Sequence, residues 1–331
     1  MFARLERAPH RVAAVAAIGL ATALLAGFSV ASAGSAAARP VTQAKTAATS
    51  TRYAGQWGLY APDFPGTLAT VQSVEAEVGR QANYVMWYVP WAGPWSGLNT
   101  SDIASVVASG ATPVITWMSY DPTGVTESAY TDAAIASGAF DSYIRTWAAG
   151  LKALRTTVYL RFDHEMNGNW YPWSPGVNGQ TAAQYVAAYR HVHDIFTQVG
   201  ATNVKWIWSP NVVYNGSWPL TQLYPGNSYV DYVGIDGYNW GTDDGHSWQS
   251  PSGVFGATLS QVQAITNKPI LLSEVGCSPD GGNKAAWITS LFAMLESSPA
   301  IRGFIWFDAD KETDWRLDDT AADLAAFAQG L

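Results

Sequence analysis

The sequence predicts an α/β fold in one domain, a (β/α)8 barrel of the TIM type, and three observations support this. Eight apolar, β-type runs alternate with helix-like segments from residue 56 onward. The runs are almost continuously apolar, as expected for a parallel sheet that is buried on both faces. Eight strand-then-helix units within 331 residues are typical of such a barrel.

The elements follow one another along the chain in a regular order. The predicted strands cover residues 56–61, 84–89, 112–118, 157–165, 204–211, 230–239, 269–276 and 303–308. The predicted helices cover residues 67–79, 101–109, 131–153, 181–199, 253–266, 283–297 and 320–329. Residues that favour helix starts, Asn99, Thr181 and Thr320, precede three of them. A doubly wound open sheet is the alternative, but it usually carries a Gly-rich nucleotide loop after its first strand, and none follows Ala61.

The first 33 residues predict a signal peptide. Three arginines precede an apolar stretch over residues 12–30, and Ala31-Ser32-Ala33 matches an A-x-A cleavage site. The apolar stretch is long, so an uncleaved membrane anchor is the alternative. Cleavage near Ala33 would give a secreted, extracellular protein that is not held at a membrane.

Residues 34–50 are small and polar, which predicts a flexible lead-in. We therefore expect residues 51–331 to form the functional domain. No internal repeat or second module is visible in this part of the sequence.

Composition and charge exclude several classes of function. The net charge of −8 argues against a nucleic-acid partner, which would need clustered Lys and Arg. The single cysteine, Cys277, excludes an intrachain disulfide and a Cys-rich zinc site. We expect no cofactor, no metal and a monomer. The 16 Trp and 16 Tyr residues exceed the needs of one core, which predicts an aromatic groove or surface.

Polar side chains are concentrated where the fourth and seventh predicted strands end. Catalytic residues of these barrels lie at the carboxyl ends of the strands. The fourth strand leads into Arg161, Asp163, His164 and Glu165, and Glu274 follows an apolar run in the seventh. An ion-pair network closing the barrel, or a helix-capping Glu274, are the structural alternatives.

Two carboxyl groups facing each other across the barrel mouth would suit a retaining glycosidase. Such an enzyme needs a nucleophile and a general acid/base about 5–5.5 Å apart. Burial and a neighbouring carboxylate would keep the acid protonated. Trp and Tyr rings would pack against the apolar faces of sugars. The candidate platforms near strand ends include Trp117, Trp170, Trp173 and Trp208, and we expect about half of the aromatic candidates to belong to the core instead.

Five segments resemble glycoside hydrolase family 26. His164-Glu165-Met166-Asn167-Gly168 with Trp170-Tyr171-Pro172-Trp173 resembles its acid/base segment, and Ser273-Glu274-Val275-Gly276 resembles its nucleophile segment. Residues 208–211, 234–240 and 311–316 resemble its segments after strands five, six and eight. The resemblance covers essentially the whole chain after the signal peptide.

The resemblance implies a role for each matching residue. Glu165 would be the general acid/base and Glu274 the nucleophile. The substrate-binding residues would include His164 beside the sugar, Tyr238 as a hydrogen-bond donor to the nucleophile, and either Trp306 or Trp315 as the platform under the sugar. Arg161 would pair with a carboxylate below the site, and Asp236 is a weaker supporting candidate.

The resemblance also implies a substrate class. Most members are endo-β-1,4-mannanases, so a secreted endo-β-mannanase acting on a plant-type polysaccharide by double displacement is the first expectation. An endo-β-1,3-1,4-glucanase or a β-1,3-xylanase is the alternative, and a non-catalytic carbohydrate-binding barrel is a third. Tyr171-Pro172 departs from the two aromatic residues that several mannanases carry there, which puts mannan in doubt. Asp163 has no role in this interpretation.

Overall fold

The computed structural model describes residues 52–124 and 129–331. The predicted signal peptide and lead-in, residues 1–33 and 34–50, lie outside the described residues. Thr51–Leu331 form one compact unit. Within the described part of the chain, no helix is both long enough and apolar enough to cross a membrane.

The described residues form eight strands and nine α-helices. The strands are β1 (Gln56–Tyr60), β2 (Tyr84–Pro90), β3 (Thr112–Met118), β4 (Val158–Phe162), β5 (Val204–Trp208), β6 (Tyr232–Asn239), β7 (Ile270–Cys277) and β8 (Ile301–Phe307). The helices are α1 (Ala69–Val78), α2 (Thr100–Ala108), α3 (Asp132–Ala136), α4 (Asp141–Leu154), α5 (Ala182–Val199), α6 (Leu220–Leu223), α7 (Pro251–Ile265), α8 (Lys284–Ser297) and α9 (Ala321–Gly330).

The strands pair in parallel in the order β1 to β8 and close into a barrel, which confirms the predicted fold. Side chains alternate between the two faces of each strand. Tyr84, Val114, Ile207, Leu271 and Ile305 belong to the cluster that fills the barrel. Their outward neighbours pack in the larger cluster under the helices. This alternation determines which side chains can reach the site.

Three helices begin where the sequence predicts. The Asn99 side chain accepts a hydrogen bond from the Ser101 N–H at the start of α2. Thr181 and Gln184 form a capping box at α5, and Thr320 caps α9. These side-chain acceptors satisfy backbone donors that the first helical turn leaves unpaired.

The structure differs from the predicted elements in several places. Strand β5 ends at Trp208 instead of residue 211, the short helix α6 was not predicted, and two further differences have a clear cause. The predicted helix over 131–153 is two helices, α3 and α4, because Gly138 takes a φ of 89° between them. The predicted fourth strand continues to Glu165, whereas β4 ends at Phe162. Asp163 and Glu165 have φ values of 44° and 53°, which extended backbone cannot accommodate.

Candidate active site

Glu274 is held inside the barrel by donors from three other strands. Its Oε1 accepts hydrogen bonds from the Tyr88 hydroxyl at 2.6 Å and from Nη2 of Arg161. Its Oε2 accepts a hydrogen bond from the Tyr238 hydroxyl. Only 4% of the residue is exposed. A carboxyl group that three donors hold in one position can be aligned for attack as a nucleophile.

Arg161 is fully buried and links Glu274 to Asp236. Its Nη1 donates to Asp236 Oδ1 at 2.7 Å, and its Nε donates to Thr116 Oγ1 at 2.9 Å. Burial disfavours the charged guanidinium, but the Asp236 and Glu274 carboxylates raise the pKa of Arg161 well above its ordinary value. Arg161 therefore supplies a permanent positive charge between two carboxylates. The pairing with a carboxylate inferred from the sequence is present, and it includes the candidate nucleophile itself.

Glu165 lies beyond the end of β4, and loop residues hold its side chain. Trp170 Nε1 donates to Oε2 at 2.6 Å, and Asn211 Nδ2 donates to Oε1 at 2.7 Å. The Glu165 backbone N–H donates to the Ser209 carbonyl at 2.7 Å, which ties the loop after β4 to the loop after β5. Both side-chain donors to Glu165 are uncharged.

The charges of both carboxyl groups affect the Tyr238 phenol. Burial and the Glu274 charge raise the pKa of Tyr238 well above its ordinary value, and Glu165 contributes to the same shift. Burial and Glu274 also raise the pKa of Tyr88. Both hydroxyls remain protonated donors at neutral pH.

His164 is buried beside the nucleophile candidate. Its Nε2 lies 3.9 Å from Glu274 Oε1, and its ring lies between the rings of Tyr171 and Tyr88, with centroids 4.7 and 5.6 Å away. Burial, followed by the positive charges of Arg161 and Lys311, lowers the pKa of His164 well below 6.5. A neutral imidazole can exchange hydrogen bonds with a sugar hydroxyl without adding charge to the site.

Trp315 is the platform candidate whose ring lies next to Tyr238 at the site, although the residue is only 1% exposed and neighbouring rings cover it in this structure. Its ring packs against Tyr238 at 4.9 Å and Trp240 at 5.1 Å. Gly276 makes this packing possible, since a Cβ there would lie 2.7 Å from the Tyr238 ring and 3.0 Å from the Trp315 ring. Trp306 points outward from β8 onto Phe327 of α9, and its Nε1 donates to the Trp315 carbonyl at 2.8 Å. Trp306 therefore supports the Trp315 backbone and cannot lie under a sugar.

Three other tryptophans predicted to bind substrate are fully buried in the core. Trp117 packs on Trp147 of α4 at 4.7 Å, and Trp208 packs on Tyr224 at 5.1 Å. Both alternate with inward residues of their strands and so point away from the barrel interior. Trp173 stacks on Tyr171 at 4.4 Å and donates to the His164 carbonyl at 2.8 Å. The substrate-binding expectation for these three is corrected to a supporting role.

Trp170 differs from those three because it is half-buried and borders the site. Besides its hydrogen bond to Glu165, its ring stacks on the exposed Tyr214 at 5.8 Å. It can contact a substrate while it orients the carboxyl group.

Two site residues were missed by the sequence reasoning. Tyr88 lies in the predicted strand over residues 84–89 and received no role, although it is an inward-facing polar residue near the carboxyl end of β2. Asn211 lies in the segment Trp208-Ser209-Pro210-Asn211 that carried part of the family resemblance, but no role was assigned to it. A systematic reading of inward polar residues at every strand end would have found Tyr88.

Comparisons with known proteins show which family this chain is similar to. The sequence profile of glycosyl hydrolase family 26 matches residues 112–276. Endoglucanase H of Acetivibrio thermocellus is 40% identical over 234 residues, which cover 69% of this chain and 25% of that protein. Mannan endo-1,4-beta-mannosidase A and B of Caldalkalibacillus mannanilyticus is 39% identical over 100 residues, which cover 28% of this chain and 19% of that protein. The chain thus spans a quarter or less of the length of these two relatives.

A solved structure supports the fold. The structure of a modular endo-beta-1,4-mannanase from Cellulomonas fimi has a TM-score of 0.59 and 17% identity, covering 84% of this chain and 71% of that chain. At this level of identity the likeness concerns the fold alone.

Proposed function

We propose, from the premise that this chain belongs to glycosyl hydrolase family 26, that it is a retaining endo-hydrolase and that its preferred polymer is a β-glucan. Glu274 is the nucleophile and Glu165 the general acid/base in this proposal.

The observation that carries the mechanism is the contrast between the two carboxyl environments. The Arg161 guanidinium and two phenols donate hydrogen bonds to Glu274 and fix the position of its carboxyl group. The Trp170 and Asn211 N–H groups each donate to one oxygen of Glu165 and fix the orientation of its carboxyl group. Carboxyl groups with different environments at one site are what double displacement requires.

The reaction then proceeds in two balanced steps. Glu274 attacks the anomeric carbon while the Glu165 proton passes to the glycosidic oxygen, so the glycosidic bond breaks and a glycosyl ester forms. Glu165, now ionised, takes a proton from water as that water attacks the anomeric carbon and displaces Glu274. Two inversions give a product with the configuration of the substrate.

The preference for glucan rests on similarity. The relative named an endoglucanase is 40% identical over 69% of this chain, whereas the relatives named mannanases range from 39% identity over 28% of it to 27% identity over 52% of it. Mannan, the first expectation from the sequence, becomes the second candidate. Because the match to one mannanase has 39% identity over its length, we include a mannan among the test substrates.

The test is reducing-sugar release from mixed-linkage β-glucan, a soluble cellulose derivative, galactomannan and β-1,3-xylan, with residues 51–331 as the enzyme. We expect the highest kcat/KM on one of the two glucans, together with a rapid fall in viscosity, which indicates internal cleavage. Faster release from galactomannan would replace glucan by mannan. No release by the folded protein from any polymer would favour the carbohydrate-binding barrel.

The stereochemical outcome tests the mechanism separately. Proton NMR during the first minutes of hydrolysis should show the β-anomer of the new reducing end before mutarotation. An initial α-anomer would contradict the role of Glu274 as nucleophile.

We also propose that the enzyme acts outside the cell, because its polymeric substrate cannot enter and the N-terminus resembles a signal peptide. N-terminal sequencing of the secreted protein should give a start near Gly34. An intact N-terminus on membrane-bound protein would indicate an anchor instead.

A further inference from the structure

Asp163, directly before His164 and Glu165, fixes the start of the loop that carries the acid/base. Its Oδ1 accepts a hydrogen bond from the Ser119 N–H, and its Oδ2 accepts one from the Ser119 hydroxyl, both at 2.7 Å. Its own N–H donates to the Trp117 carbonyl at 3.1 Å. With a φ of 44°, Asp163 is the point where the chain turns out of β4.

Among the described residues, this carboxyl group is completely buried and forms no salt bridge with a Lys, Arg or His side chain. Asp132 of α3 faces the same region; it is also fully buried, and neither of its carboxyl oxygens has a hydrogen-bond partner. Tyr185 of α5 is the remaining titratable group, and its hydroxyl donates to the Asp163 carbonyl at 3.4 Å.

We propose that Asp163 is a positioning residue for the general acid, and that it works as a neutral carboxylic acid clamped to Ser119. The clamp holds the strained turn after β4, and the turn places the Glu165 carboxyl where Trp170 and Asn211 can bind it. This inference rests on the proposed role of Glu165.

The charge state follows from the surroundings. Two buried carboxyl groups without a cation cannot both carry charge at low cost. Burial raises the pKa of Asp163 to about 8, although the two Ser119 hydrogen bonds oppose the shift. Burial, together with the Asp163 charge, also raises the pKa of Asp132 well above its ordinary value. A protonated Asp163 can donate to the Ser119 hydroxyl and accept from the Ser119 N–H.

The first test compares two leaving groups. A polysaccharide must be protonated by Glu165 to leave, whereas a 2,4-dinitrophenyl β-glycoside of the matching oligosaccharide leaves as an anion and needs no proton. Misplacing the acid in Asp163→Ala should lower kcat/KM on the polymer by about 10–100-fold and on the dinitrophenyl glycoside by less than about threefold. Asp163→Asn keeps the shape, the acceptor and a donor, and should restore polymer hydrolysis to within about threefold of the wild type.

The outcomes separate positioning from general damage. Equal losses on both substrates would mean that the whole site is disturbed, and would overturn the proposal. A loss in Asp163→Asn as large as in Asp163→Ala would show that a charged carboxylate is required. Ser119→Ala removes one of the two clamp bonds and should give an intermediate loss on the polymer alone.

A second test needs no substrate, so it stands even if the protein hydrolyses none of the polymers. A folded pKa of about 8 against 3.8 in the unfolded chain means that the folded state holds a proton that the unfolded state has lost. The Tm of the wild type should therefore fall relative to that of Asp163→Asn as pH rises from 3.8 to about 8. A constant Tm difference over this range would contradict the neutral acid.

Amide hydrogen exchange measures the positioning directly. The Glu165 N–H, bonded to Ser209, should exchange faster in Asp163→Ala than in the wild type, and Asp163→Asn should restore its protection. Unchanged exchange in Asp163→Ala would show that the turn does not depend on the clamp.

Discussion

The two carboxyl groups of the site are held by different parts of the barrel. Glu274 lies within a strand, and its partners Tyr88, Arg161 and Tyr238 lie on three other strands. Glu165 lies past the end of β4, and its partners Trp170 and Asn211 lie in loops. Side chains on strands, including the charged Arg161, bind Glu274. Side chains on loops bind Glu165.

The difference follows from what each group must do. A nucleophile keeps one charge state until it forms a bond, so a fixed cation and protonated phenols suit it. A general acid/base must both release and accept a proton, and a nearby cation would hold it ionised. The Trp170 and Asn211 N–H groups orient the Glu165 carboxyl group.

Removing each carboxyl group gives the largest expected effect and tests the comparison most directly. Glu274→Ala should lower kcat by several orders of magnitude on every substrate. Glu165→Ala should lower kcat/KM by about 10²–10⁴-fold on the polymer, but by much less on a dinitrophenyl glycoside. Steady-state kinetics on both substrates are the measurement.

Added azide distinguishes the two roles. It should give an α-glycosyl azide with Glu274→Ala, by direct displacement, and a β-glycosyl azide with Glu165→Ala, by attack on the glycosyl ester. The reverse pattern would exchange the assignments, and near-normal turnover in either variant would remove that residue from the mechanism.

Removing the cation gives the next largest effect. Arg161→Met leaves Asp236 and Glu274 buried without their partner, and we expect a loss of about 3–5 kcal/mol in the free energy of unfolding. The kcat should fall as well, because Glu274 loses its charged donor. Urea unfolding and steady-state kinetics measure the two losses.

Thr116→Val is the matched control for Arg161→Met. It removes one hydrogen bond to Arg161 Nε and keeps the charge, and should cost about 1 kcal/mol. An equal free energy of unfolding for Arg161→Met and the wild type would show that the ion pairs do not contribute to stability.

The sequence was sufficient for the parts of the structure that periodicity and strand-end chemistry determine. The order of eight strands, the closed barrel and the closeness of Arg161, His164, Glu165 and Glu274 all follow from apolar runs that end in polar residues. The runs are long enough to be recognised as strands, and their polar ends identify the edge of the barrel that carries the site.

The aromatic residues could not be sorted in the same way. Side chains alternate between the two faces of a strand, so a change of one residue in the register turns a tryptophan from inward to outward. The composition of a strand does not determine its register. Trp117, Trp208 and Trp306 fall on the outward register. Tyr88 falls on the inward register, where its polar side chain near the end of β2 is the signal that identifies it.

The choice between Trp315 and Trp306 can be tested, and we expect a smaller effect than for the charged residues. Trp315→Phe should lower kcat/KM on the polymer by about tenfold, corresponding to about 1.4 kcal/mol of lost contact with the sugar. Trp306→Phe should leave kcat/KM nearly unchanged and lower the Tm, because its ring packs only in the core. A larger loss of kcat/KM in Trp306→Phe would reverse the assignment.

The neutral state of His164 gives the smallest expected effect, a change in stability with pH. The folded pKa lies well below 6.5, so in acid the unfolded chain binds a proton that the folded chain does not. The wild type should therefore lose up to about 1.4 kcal/mol of stability per pH unit below 6.5, until the folded pKa is reached, relative to His164→Asn. Urea unfolding at pH 7.5, 6.5 and 5.5 measures the difference. If the two proteins keep a constant difference across these values, the imidazole is not buried in its neutral form. A protonated His164 would then donate to the sugar and would place a second positive charge in the site, beside Arg161.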